Sequence, residues 1–155
     1  KRRHLARDVV RFCDEARRRR PDVVFGADLI AGFPTESEAA HEASLRLIER
    51  AGLTYLHIFP YSARAGTPAA RMPQLEKAVI KDRAARLRAA GARALVKHLD
   101  THIGRETEVL VERATHGRLP DFTPVEIAGV SEQAGRPVRA RIIGHDETRL
   151  KAQAL

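Results

Sequence analysis

Two short apolar runs constrain this chain more than any other feature. Val23-Val24-Phe25-Gly26-Ala27-Asp28-Leu29-Ile30 and Thr54-Tyr55-Leu56-His57-Ile58-Phe59-Pro60 are bounded by chain breakers, and a helix-length amphipathic stretch separates them. Apolar runs of this length predict strands buried on both faces, as in a parallel sheet. Ahead of the first run, Leu5, Val9, Phe12, Cys13 and Ala16 recur at spacings of three and four, which predicts a helix over 4–19 closed by Pro21 and Asp22. Thr35 and Glu38 have capping-box spacing. They predict a helix from about 36 to 51, with Leu45, Leu47 and Ile48 inward and Gly52 as its stop. Helix, strand, helix, strand with short joints is βαβ winding, with helices outside a parallel sheet. Two strands are too few to stand alone, so this α/β segment is expected to belong to a larger sheet.

Tyr61 to Pro73 is a loop rich in Gly and Pro. Residues 74–103 predict a long helix with Leu75, Val79, Ile80, Leu87, Leu95, Leu99 and Ile103 as its inner stripe, and Gly91 marks a candidate kink or break. After Gly104 the texture changes. Glu106–Arg113, Thr123–Ile127, Val138–Ile143 and Arg149–Ala154 are short β-prone runs separated by turn residues, and their spacing predicts a small antiparallel barrel or sandwich. The expected fold class is therefore α/β, with a parallel-sheet region over 1–103 and a β module over 104–155.

Composition narrows the function classes. With 155 residues, 43% hydrophobic and 31% charged, the chain can build a core, and global disorder is excluded. No apolar run approaches the ~18 residues of a membrane span, and no signal peptide is visible, so an intracellular location is expected. The first residue is not Met, which suggests a piece of something longer. Cys13 is the single cysteine, so an internal disulfide and a cysteine metal cage are both excluded. The net charge of +8 is concentrated in 1–20 and 74–103, while 104–155 is neutral. A basic helix face can meet phosphates or simply face water. Both readings stay open.

The sharpest local signal is Gly26 to Glu36, a buried strand running into a glycine turn and a capped helix. That places Gly32 to Glu36 at the carboxyl end of a parallel strand, where α/β folds bind ligands. The alternative is a tight structural turn with Glu36 favouring the helix dipole. The second strand ends in Phe59-Pro60-Tyr61-Ser62-Ala63-Arg64, which brings another irregular loop to the same rim. His98 and His102 stand four apart with Asp100 between them, a spacing that can chelate a metal. With no third ligand in view, surface histidines are the expected reading. Cys13 is expected to be a core thiol. No phosphate-binding loop, nucleophile elbow or dinucleotide fingerprint is present.

The string DLIAGFPTE, followed by HIFPYSARAGTPAARMP, resembles the end of the radical S-adenosylmethionine domain of tRNA methylthiotransferases. GRETEVLVE, FTPVEIAG and RARIIGHDETRLKAQ resemble the TRAM domain of the same family. The resemblance covers about residues 8–155 and is nearest to the branch acting on threonylcarbamoyladenosine beside the anticodon. It implies the carboxyl-terminal half of such an enzyme: 1–103 as the end of a partial parallel barrel with its terminal helix, and 104–155 as an RNA-binding TRAM barrel. It implies S-adenosylmethionine as cofactor and two iron–sulfur clusters in the whole enzyme. This chain ligates neither cluster, because Cys13 matches no cluster position.

Carried over by position, the resemblance implies that Asp28, Ile30, Gly32, Phe33, Pro34, Phe59 and Tyr61 line the S-adenosylmethionine pocket. Ile30 and Gly32 would run along the adenosine, and Arg64 with Gly66-Thr67-Pro68 would face substrate or brace the rim. Arg105, Arg118, Arg139 and Arg141 are expected to meet tRNA phosphates, clustering on one barrel face if the strands pair as hairpins. The implied partners are tRNA and a cluster-binding region amino-terminal to this segment, in the cytoplasm and with no membrane. Two alternatives remain: an RNA-binding adaptor without catalysis of its own, and another radical or aldolase-like barrel enzyme.

Overall fold

A computed structural model describes residues 4–130 and 134–155. Lys1, Arg2 and Arg3, part of the basic segment 1–20, lie outside the described residues. The chain divides into two units, Lys1–Ala94 and Leu95–Leu155.

The first unit contains α1 (Ala6–Arg19), β1 (Phe25–Ala31), α2 (Glu38–Ala51), β2 (Leu53–Pro60), a 3-10 turn at Ala69–Arg71 and most of α3 (Lys77–Asp100). At the start of α1 the Asp8 carboxylate accepts the Leu5 N–H at 2.8 Å, an anion placed at the positive end of a helix. β1 and β2 pair in parallel, with Ile30 opposite Phe59 and Ala31 opposite Pro60. Cys13, Ala31, Ile48, Ala51, Leu53, Ala84 and Leu87 form the buried core, and Leu45, Leu47, Leu56 and Ile58 pack against it.

Several expectations are corrected here. The cap of α2 is Ser37, whose hydroxyl accepts the Ala40 N–H at 3.2 Å, and not the Thr35–Glu38 box. Glu38 turns instead to Arg83 and Arg86. The helix does stop at Gly52, which is left-handed with φ 59°. Neither strand is buried on both faces: Ile30 is 54% and Phe59 52% exposed, so one face of the described two-strand sheet is open. α3 runs unbroken through Gly91, where a Cβ would come within 3.2 Å of Leu56 Cδ1. That glycine serves close helix–strand packing rather than a kink. Ile103 lies beyond α3 and is exposed.

The second unit takes the end of α3 together with β3 (Glu106–Arg113), β4 (His116–Arg118), β5 (Pro124–Ala128), β6 (Pro137–His145) and β7 (Leu150–Ala154). Its strands close into a barrel of order β3-β4-β5-β7-β6. The expectation of an antiparallel module is corrected at one seam, because β5 and β7 pair in parallel. The sequence reading also missed the three-residue strand β4. Alternation drives the closure: Val109, Val111, Val125, Ile127, Ala140, Ile142, Leu150 and Ala152 point inward, and Leu99 of α3 joins their cluster. Gly117 is required by close approach, since a Cβ there would lie 2.5 Å from the Leu110 carbonyl oxygen. The last residues of α3 thus pack with the barrel, although their helical pattern continues that of the first unit. No described helix is long and apolar enough to cross a membrane.

Candidate functional site

Parallel register brings the carboxyl ends of β1 and β2 side by side. The Tyr61 N–H donates to the Ala31 carbonyl at 2.8 Å, carrying the pairing one residue past β2. The Phe33 and Tyr61 rings meet edge to face with centroids 5.4 Å apart, and the Tyr61 hydroxyl is buried without a hydrogen-bond partner. Asp28, Ile30, His57 and Phe59 are exposed. Because Asp28 is opposite His57 and Ile30 opposite Phe59, these four share the open face that leads to the rim. His57 was missed as a site residue because its strand reads as buried throughout.

Gly32 behaves differently from its neighbours. It is buried with φ +79°, and a Cβ would lie 2.7 Å from Ile80 Cγ1. Its N–H donates to Glu36 Oε2 at 2.7 Å. Arg83, nearly buried, donates from one guanidinium nitrogen to both the Glu36 carbonyl (2.5 Å) and Glu36 Oε2 (3.0 Å). Its other terminal nitrogen reaches Glu38, and Arg86 joins Glu38 and Glu42. Glu36 is therefore a strut tying the Gly32 turn to α3, a role beyond the helix-dipole effect. The Arg86 hydrogen bond, followed by that of Arg83, outweighs desolvation and holds the Glu38 carboxyl below its ordinary value. Pro34 is half-buried at the rim, while Arg64 and Gly66 are exposed in the following loop.

The basic helices have internal uses for part of their charge. Arg17 donates to the Ala51 and Gly52 carbonyls and stacks over the Phe25 ring at 4.8 Å, while Arg18 and Arg19 pair with Glu15. Cys13 is buried as expected, and desolvation pushes its thiol up.

On the barrel, β3 lies between β6 and β4, so Arg139 and Arg141 reach an outer face continuous with that of Arg118. The β3–β4 hairpin brings Arg118 to this face and the long-range β3–β6 pairing brings Arg139 and Arg141, so hairpins account for part of the arrangement and not all of it. Glu106 takes Arg141 at 2.5 Å and Arg139 at 3.5 Å, and Glu112 takes Arg118 at 3.0 Å. The Arg141 hydrogen bond and charge hold Glu106 below the usual carboxylate range. Arg105 is exposed just ahead of β3.

One exposed aromatic on this unit was not singled out from sequence. Phe122 is 74% exposed at φ 68°, and its carbonyl accepts from Arg118 at 3.1 Å. A non-glycine residue held left-handed beside a cation is the kind of local strain that binding surfaces retain. Asp121 next to it accepts the Thr123 N–H at 3.0 Å and lies 3.4 Å from His102 and 3.5 Å from His98. Burial, the largest single influence, would raise its pKa. Hydrogen bonds from His102 and from Thr123 overcome it and hold Asp121 at about 2.

No family model matches the chain. Among curated proteins, the threonylcarbamoyladenosine tRNA methylthiotransferase MtaB of Rickettsia prowazekii is 43% identical over 97% of this chain and 36% of its own length. The tRNA-2-methylthio-N(6)-dimethylallyladenosine synthases of Ruegeria pomeroyi and of Cereibacter sphaeroides (strain ATCC 17023) are each 36% identical. They match 90% and 99% of the chain, and 33% and 37% of their own lengths. The chain spans about a third of the length of these relatives, and the similarity runs through both of its units. By that similarity the chain belongs to the tRNA methylthiotransferase family, as a segment of the longer proteins it resembles.

Proposed function

We propose that this chain is the carboxyl-terminal part of a cytoplasmic radical S-adenosylmethionine enzyme that adds a methylthio group to a modified tRNA adenosine. The substrate assigned is N6-threonylcarbamoyladenosine, with the change at C2. The observation that carries this reading is the 43% identity to a relative of that name across 97% of the chain. Residues 1–103 act as the end of the catalytic domain and residues 104–155 as a TRAM-type RNA-binding barrel. The partners are tRNA and the cluster-binding region of the same enzyme.

The open face of β1 and β2 fits a nucleoside cofactor. Ile30 and Phe59 offer exposed apolar surface, Asp28 offers a carboxylate, and Phe33 and Tyr61 wall the rim. Bound there, S-adenosylmethionine would supply the radical on reduction, and a second molecule would supply the methyl group. The side chains of Ile30 and Phe59 exclude water from the adenosine and hold its orientation. Gly32 and Glu36 contribute indirectly, by fixing the turn against α3. The two iron–sulfur clusters do not fit this chain's own residues, because its single thiol is buried in α1. They belong to the cluster-binding region.

On the barrel, Arg105, Arg118, Arg139 and Arg141 take tRNA phosphates, and Phe122 offers its ring to an unpaired base. Stacking on an aromatic is worth about 1–3 kcal/mol per base. Because Glu106 and Glu112 already hold three of these arginines, shape and unpaired bases govern recognition more than bulk charge.

Equilibrium binding of tRNA against salt tests this grip. Arg139→Ala with Arg141→Ala should lower the salt slope by about 0.7–0.9 per lost contact. Phe122→Leu should weaken binding with the slope unchanged. The control, Arg18→Ala with Arg19→Ala in α1, should do neither. A control that flattens the slope while the barrel variant keeps it would move the RNA to the helices.

A further inference from the structure

His98 lies in the last turn of α3 and His102 in the turn that follows, where its N–H donates to the Leu99 carbonyl at 3.0 Å. Their rings meet edge to face with centroids 4.8 Å apart. Asp121 arrives from the turn after β4, 19 residues beyond His102, and supplies the third group that spacing along the sequence does not reveal. The side chains of all three are mostly shielded, with 15%, 14% and 8% exposure for His98, His102 and Asp121.

A tetrahedral zinc centre with bonds of about 2.0–2.1 Å sets its ligand atoms about 3.3 Å apart. Asp121 Oδ2 stands 3.4 Å from His102 Nε2 and 3.5 Å from His98 Nε2, so two of the three edges already match. One ligand atom from each residue falls within 4.8 Å of the others, and ring rotation can close the remaining edge. The carboxylate is aimed from behind: its Oδ1 accepts the Thr123 N–H at 3.0 Å, which leaves Oδ2 to the imidazoles. Outer-shell support of this kind fixes ligand orientation in built metal sites. Thr123 Oγ1 is hydrogen-bonded to His98 Nε2 at 2.8 Å, so a cation taking that nitrogen must turn the hydroxyl aside or accept it as a further oxygen ligand.

We infer that His98, His102 and Asp121 form a binding site for one divalent cation of the zinc class, with the fourth position left to water or to the Thr123 hydroxyl. Two imidazoles and one carboxylate suit a borderline d-block ion, whereas magnesium and calcium call for all-oxygen sets. The site lies wholly within Leu95–Leu155 and stands independently of the proposed tRNA chemistry. Its role is structural. Asp121 precedes Phe122, so a cation tying that turn to the end of α3 fixes the backbone that presents the exposed ring.

The test uses the full 155-residue chain, stripped with a chelator and then titrated with Zn(II) against a chromophoric competitor, with Co(II) as a spectroscopic substitute. Expected are one cation per chain at roughly 10 μM or below, an intense tetrahedral Co(II) visible band, and a higher Tm with Zn(II). His102→Gln should weaken binding by roughly tenfold or more, and His4→Gln should leave it unchanged. Should His102→Gln fail to fold, the wild-type ring protons decide by NMR: those of His98 and His102 should shift with Zn(II), and those of His4 and His57 should not. No one-to-one binding, a six-coordinate Co(II) spectrum, unaltered affinity in a folded His102→Gln, or shifts confined to other histidines would each overturn the inference. The cluster would then be a hydrogen-bonded staple only.

Discussion

The two units solve the same problem in opposite ways. The barrel closes on itself, pairs every one of its strands on both sides, and sends its inward side chains into one cluster at or near zero exposure. The parallel unit has two described strands, a core built largely from its helix-covered face, and half-exposed Ile30 and Phe59 on the other. Closure saturates backbone and apolar surface together. An open parallel sheet leaves a face to be covered, and in α/β folds the carboxyl edge of such a face is where ligands bind. One sequence thus encodes a closed module and one whose sheet keeps an exposed face.

Truncating equivalent isoleucines should break this comparison if it is wrong. Ile142→Ala, in the barrel core, should cost about 3–4 kcal/mol through lost burial and a residual cavity. Ile30→Ala, on the open face, should cost no more than about 0.5 kcal/mol. Urea unfolding of the two variants beside the parent chain measures both. Similar losses would mean that Ile30 is covered in solution.

The second largest effect is expected at the Glu36 strut. Arg83→Ala leaves a nearly buried carboxylate without its cation and should destabilise the first unit by about 3 kcal/mol. Adding Glu36→Gln should recover part of the loss, because the unpaired charge is removed while the Gly32 N–H keeps an acceptor. Thermal melting of the single and double variants gives the coupling. Strict additivity would show that the ion pair is not what holds the turn.

How much was legible follows from the same contrast. Strand periodicity and turn residues located β3 at its observed bounds and β5, β6 and β7 to within one or two residues, because alternation reports a half-buried strand directly. The three-residue β4 carries too short a pattern to register. The two parallel strands were found, but their apolar runs looked like two-sided burial, and only register showed that Ile30 and Phe59 share an open face. Gly91 reads as a breaker in one dimension and as a contact with Leu56 in three. At the site, the Gly32 turn was legible as a special position but not why, since Ile80 lies 48 residues away. Asp121 was invisible as a partner of His98 and His102 for the same reason: chain separation hides what barrel closure brings together.

A smaller effect sharpens the assignment of Gly32. Gly32→Val combines an unfavourable left-handed backbone with a Cβ driven into Ile80, and should cost about 2 kcal/mol in the isolated chain, with no ligand added. Differential scanning calorimetry should show the first unit melting earlier and the barrel unmoved. An unaltered melt would return Gly32 to the role of making room for a cofactor.

The smallest expected effect probes how the barrel holds its β6–β7 connection. Asp146 Oδ1 accepts the Thr148 N–H at 2.9 Å, the Thr148 hydroxyl at 2.6 Å and the Arg149 N–H at 2.9 Å. The Thr148 bonds are the largest cause, and they lower the Asp146 pKa from 3.8 to about 2. Since the folded value lies below the unfolded one, the turn gains stability above about pH 4 and loses it as pH falls through 2. An NMR titration of the Thr148 amide should therefore have its midpoint near 2. Thr148→Val keeps the amide and deletes the hydroxyl, so the midpoint should rise toward the ordinary carboxylate value while the barrel stays folded. Asp121 is lowered in the same direction by different partners, so the Thr148 variant should leave its share of the acid response in place. A midpoint that does not move in Thr148→Val would show that the backbone amides alone set the charge at this turn, and the hydroxyl would then be a bystander.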